Sequence, residues 1–97
     1  MKTKTKNLRS SNGNFVANQF ETIQTKKDYC KHIFQSYETI IATIEYKNNS
    51  KKVLLDNDAL NYSRTTSKYL YQFMLMNRQE IEKEIKENKI KLTNLNK

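Results

Sequence analysis

The 97-residue chain has no proline, no tryptophan, one glycine and one cysteine. Each scarcity excludes something. Long structured loops usually place proline and glycine at special dihedral positions, so Gly13 alone argues against them. Cys30 has no second cysteine to pair with, which rules out an internal disulfide and fits a reducing compartment. One cysteine and one histidine, His32, cannot complete a structural zinc site of four Cys/His ligands. No glycine-rich phosphate loop is present. No apolar run approaches the roughly 18 residues that span a bilayer. The basic N-terminus lacks the apolar stretch of about 7–15 residues that marks a secretory signal. These absences predict a soluble, cytoplasmic, non-enzymatic protein with no metal, no cofactor and no membrane contact.

What is present is charge. Eighteen basic residues against ten acidic ones leave a net +8, a balance that favours phosphates or acidic partners. The same excess of lysine, with abundant asparagine and isoleucine, is what an AT-rich genome encodes, so composition alone does not make the charge functional. A chain of this length buries roughly 60–70% of its unfolded surface in one modest core. Its hydrophobic content of 36% is below the usual range of about 45–50%. Part of the chain is therefore expected to stay unpacked.

That part is residues 1–13, "MKTKTKNLRSSNG". Lys2, Lys4, Lys6 and Arg9 stand there without an acid, and Leu8 is the one large apolar side chain after Met1. The reading is a disordered basic arm, because so little apolar surface does not offset ordering entropy. Residues 14–76 are read as an α+β domain and 77–97 as an amphipathic C-terminal helix. Strands are predicted at 15–25, 29–37, 39–47 and 51–56, from their β-branched and aromatic content. Ile40, Ala42, Ile44 and Tyr46 would form one apolar face. "NNS" at 48–50 reads as a hairpin turn, since asparagine tolerates positive φ. Short connections make the whole a four-stranded antiparallel β-meander.

After Asp56 the apolar period becomes helical, through Tyr69, Leu70, Phe73, Met74, Ile81, Ile85, Leu92 and Leu95. Asn77 with Glu80 resembles a capping box, so the meander is packed either by two helices or by one long one. The last helix has an apolar stripe that needs a partner: its own sheet, a second copy in a homodimer, or a target protein.

Few constellations carry chemistry. Cys30 and His32 would share a strand face roughly 7 Å apart. They read either as a thiol–imidazole pair or as two half-buried side chains beside Phe34, and the second reading is the simpler. Asp56 and Asp58 read either as two carboxylates at a strand end that hold a metal ion or as a turn pair bonding local amides, and the second reading is the simpler. The richest stretch is "NYSRTTSKYLYQFM". A helix cap needs one hydroxyl. Here Ser63, Thr65 and Thr66 cluster with Arg64 and Lys68 at a helix start, where free amides and the dipole favour anions. The alternatives are a redundant cap and a site for an anion or a partner. Nucleic-acid contacts, if made, are assigned to Lys2, Lys4, Lys6, Arg9 and Tyr37. Tyr46 and Tyr69 are assigned to the core.

The residues "FQSY" at 34–37, the Ile41–Ala42 pair and "YSRTTSKYLYQF" at 62–73 resemble a small uncharacterised family encoded mainly by bacteriophages and mobile elements. The resemblance covers roughly residues 18–74. A tryptophan associated with that family falls at Leu60, a departure from the pattern. The resemblance implies origin, a small accessory protein of a phage or mobile element. With the small size, the amphipathic tail and the missing catalytic set, it leads to the expectation of a protein that acts in a host bacterial cell by binding and modulating a host protein, such as a defence-system component. The alternative is a sequence-independent nucleic-acid-binding module.

Overall fold

The computed structural model describes all 97 residues. It is α+β, and the sheet has six strands rather than four. They are β1 (Lys2–Arg9), β2 (Phe15–Lys26), β3 (Tyr29–Ser36), β4 (Thr39–Lys47), β5 (Ser50–Asp56) and β6 (Ile90–Thr93), ordered as in the chain. A 3-10 turn at Ala59–Asn61 and the helices α1 (Arg64–Met74) and α2 (Arg78–Lys86) lie between β5 and β6. The first five strands form an antiparallel meander, and β6 adds in parallel to β5.

Local chemistry explains the turns. Asn48 and Asn49 both hold positive φ, 49° and 69°, as the primed hairpin turn requires. Asp28 and Tyr37 take the left-handed position in the neighbouring hairpins. α1 stops at Leu75, a left-handed C-cap with φ 58°. Asn77 then opens α2 with a capping box: its side chain accepts from the Glu80 amide, and Glu80 accepts from the Asn77 amide. Two helices, not one, result.

Three expectations are corrected. Residues 2–9 are not a disordered arm but an edge strand, in register with β2 from Lys2↔Thr25 to Asn7↔Phe20. The ladder pairs the backbone groups that face β2, Thr5 bonds Thr22 at 2.9 Å, and Leu8 enters the core at 7% exposure. One well-placed anchor and a pre-formed neighbouring strand offset the ordering cost that composition alone left uncovered. The final helix does not run through 77–97. Asn88, at φ 61°, turns the chain, and "IKLT" becomes β6, with Ile90 buried opposite Val53. Of the three partners open to the apolar stripe, the chain's own core takes Ile81, which is fully buried there. The face assigned to β4 is interrupted. Phe34 pairs with Ala42 and Gln35 with Ile40, so Ile41 is an extra, bulged residue, and it is fully buried.

The core lies between the helices and one face of the sheet. Phe34, Ala42, Val53, Leu55 and Ile90 meet Tyr69, Leu70, Met74 and Ile81 there. Phe34 stacks on Phe73 with ring centres 5.6 Å apart. The C-terminal segment is tied down by polar contacts. The Asp56 carboxylate accepts from the Leu95 amide (3.1 Å), the Asn96 side chain (3.1 Å), the Tyr62 hydroxyl (3.2 Å) and the Asp58 amide (3.4 Å). Asn96 also brackets the backbone of Ile40, accepting from its N–H and donating to its carbonyl. Burial pushes the Asp56 carboxyl upward, but these bonds outweigh it and hold the group below the ordinary carboxylate value.

Candidate functional site

The stretch singled out in the sequence is divided by the fold. Ser63 is the N-cap of α1, accepting from the Thr66 amide at 3.3 Å. Thr66 is buried and turned inward. Its hydroxyl bonds Ser63 at 3.2 Å and Ser36 at 2.9 Å, and Ser36 in turn accepts from Gln19 at 3.0 Å. Ser36 belongs to "FQSY" and Thr66 to "YSRTT", so the two motifs meet in one buried hydroxyl relay that docks the helix onto the sheet. Arg64, Thr65 and Lys68 are exposed on the first turns. Ser63 and Thr66 thus serve the cap and the docking of the helix, while Arg64, Thr65 and Lys68 form an exposed rim at its start.

The predicted nucleic-acid contacts are also redistributed. Lys2, Lys4 and Lys6 alternate along β1, so all three project on the sheet face that carries the helices. Arg9 is occupied by a cation–π contact, 4.4 Å from the centre of the Phe15 ring. Tyr37 is exposed in the β3–β4 turn, at the far end of β3 from the Lys2 row. The lysines and Tyr37 do not share a surface.

Register places a different set together. One cross-strand row reads Lys2, Thr25, Cys30, Tyr46, Lys51, and the next reads Lys4, Ile23, His32, Ile44, Val53. The end of α1 with its cap, Gln72 to Leu75, lines a groove together with these rows. The groove is about 320 Å³ and is lined among others by Glu21, His32, Tyr46, Lys51, Phe73 and Leu75. Beside it, a more open depression of about 700 Å³ is lined by Cys30 and the β2–β3 and β4–β5 turns, and shares Tyr46 and Lys51. Together they make a trough with Tyr46 at its floor and with Lys47 and Lys51 on its β4–β5 side. Tyr46, expected in the core, is 43% exposed here, with the Lys51 ammonium 5.9 Å from its ring centre.

Inside the trough a hydrogen-bonded chain runs through three side chains. Glu21 Oε2 lies 2.7 Å from His32 Nδ1, and His32 Nε2 lies 3.4 Å from Cys30 Sγ. The same imidazole meets the Tyr46 ring edge-on, 6.2 Å between centres. That Cys30 and His32 share a face was readable from their spacing. Glu21 was not, because it reaches His32 diagonally across a strand pairing that only register determines. No three His, Cys, Asp or Glu side chains are grouped so as to hold a metal ion.

A model for a family of unknown function, DUF8033, matches residues 3–90. The chain belongs to that family. The match extends beyond the residues 18–74 on which the motifs rest, and takes in β1, both helices and the start of β6. No curated protein and no solved structure matches the chain. No helix is long and apolar enough to cross a membrane.

Proposed function

We propose that this DUF8033 member is a binding protein without catalytic activity whose trough receives an extended polyanion, single-stranded nucleic acid held without sequence preference. One observation carries this reading. Lys2, Lys4 and Lys6 lie in a row, exposed, none of them in an ion pair, beside a trough floored by Tyr46 and flanked by Lys51. Basic grooves with exposed aromatic rings hold single strands by phosphate contact and base stacking. The absence of a motif for reading base edges makes the contact independent of sequence. The test is fluorescence anisotropy with a labelled oligothymidine across a salt series. Replacing the three lysines by alanine should weaken binding and flatten the salt dependence by about 2, at roughly 0.7 per contact for a single strand. An unchanged slope would remove the proposal.

A second reading is favoured by Leu75. It is 89% exposed, at the trough mouth, in a left-handed conformation that leucine rarely adopts. A large apolar side chain held in water at a structural cost fits a protein partner. Under this reading the chain is an accessory protein of a phage or mobile element, as the motif resemblance implies, and binds a host factor. Capture from nuclease-treated host lysate should then depend on Leu75 and not on the β1 lysines.

A further inference from the structure

We propose that Cys30 is a nucleophilic thiol, a site at which small anionic disulfides form a mixed disulfide with the protein. The inference stands on the three-residue geometry and the cavity around it, whatever else the trough binds. A carboxylate only accepts hydrogen bonds, so the 2.7 Å contact with Glu21 places the His32 proton on Nδ1. The lone pair of Nε2 then faces Cys30 Sγ, 3.4 Å away. This is the arrangement of a nucleophile, a base and a group that orients the base. The base is firmly aimed, because Glu21 fixes one end of the ring and the Tyr46 edge contact fixes its tilt. Cys30 is half-buried and lines the open depression, so a small reagent reaches it. Lys51, which lines both cavities, and Lys2, in the same cross-strand row, select for negative charge.

In the reaction, the Cys30 proton passes to His32 Nε2 as Sγ attacks one sulfur of the disulfide. The new S–S bond joins Cys30 to half of the reagent. The old S–S bond breaks, and the other half leaves as a thiolate that takes up a proton. Cys30 is oxidised and the leaving sulfur is reduced, so no further oxidant is required.

The experiment measures modification rates at pH 7 with dithionitrobenzoate, a dianionic disulfide, and with neutral dithiodipyridine. The folded wild-type protein should react with dithionitrobenzoate about tenfold or more faster than the same chain in urea, since a positioned base accelerates proton transfer. His32→Ala should bring the folded rate down to the unfolded rate or below it. Glu21→Gln, which preserves shape, should lower it partly. Lys51→Gln should slow the dianionic reagent and leave the neutral one unchanged. A folded wild-type protein that reacts no faster than the unfolded chain overturns the proposal, and that comparison requires no variant to fold. Equal rates for wild type, His32→Ala and Glu21→Gln would overturn it as well.

Discussion

Thr66→Val tests whether the hydroxyls shared by the two sequence motifs hold the fold together. Valine keeps the volume and branching of threonine and removes the hydroxyl. In the structure that hydroxyl bonds Ser36 at 2.9 Å in a fully enclosed position and Ser63 at 3.2 Å near solvent. Water can replace the second bond but not the first. Losing a buried bond and stranding its partner costs about 1–3 kcal/mol, so a loss of about 2 kcal/mol is expected. For a domain of this size each kcal/mol moves the melting temperature by roughly 4–8 °C, which predicts a drop of roughly 8–16 °C. Arg64→Ala, on the exposed side of the same helical turn, should change stability by no more than about 0.5 kcal/mol. The assay is thermal unfolding followed by circular dichroism for wild type, Thr66→Val, Ser36→Ala and the double variant. The two residues touch, so their effects should be non-additive by about 0.5–3 kcal/mol. A Thr66→Val protein as stable as wild type, or strict additivity with Ser36→Ala, would refute the relay.

Asp56→Asn should cost about 2–3 kcal/mol at pH 7, because the carboxylate anchors the Leu95–Asn96 segment through charge-assisted bonds. The folded carboxyl lies below its ordinary value, so this contribution is complete above about pH 4 and is lost as pH falls through the folded value. Unfolding curves for the two proteins should therefore converge in acid, and a constant gap from pH 7 to pH 2 would contradict the assignment. Leu8→Ala should lower stability by about 2–3 kcal/mol in urea melts, since Leu8 is the buried anchor of β1, whereas a disordered arm would show no effect. Leu75→Gly should raise stability by about 0.5–1 kcal/mol, because the site is left-handed and the side chain packs on almost nothing. A loss of stability in that variant would mean that Leu75 contributes to the core.

Local rules were sufficient wherever the structure is local. The strands from Phe15 to Asp56, the Asn48–Asn49 turn and the Asn77–Glu80 capping box follow from propensity, left-handed tolerance and spacing within a few residues. The edges of the chain behaved differently. Lys2–Arg9 has too little apolar surface to order itself, and Ile90–Thr93 is too short to be a strand alone. Each becomes a strand because a neighbouring strand offers unpaired backbone groups, and no feature within the segment announces that neighbour. The trough has the same origin. Cys30 and His32 could be placed on one face by counting, but Glu21, Tyr46 and Lys51 reach them only through the register of β2, β4 and β5. The hydroxyl cluster was visible as a helix start, yet its inward direction was not. Thr66 turns toward Ser36, thirty residues earlier, only when α1 packs on the sheet. Sequence alone determined the elements whose causes lie within a few residues. Tertiary structure decided which side chains face each other, because strand register and helix docking are set by burial summed over the whole core.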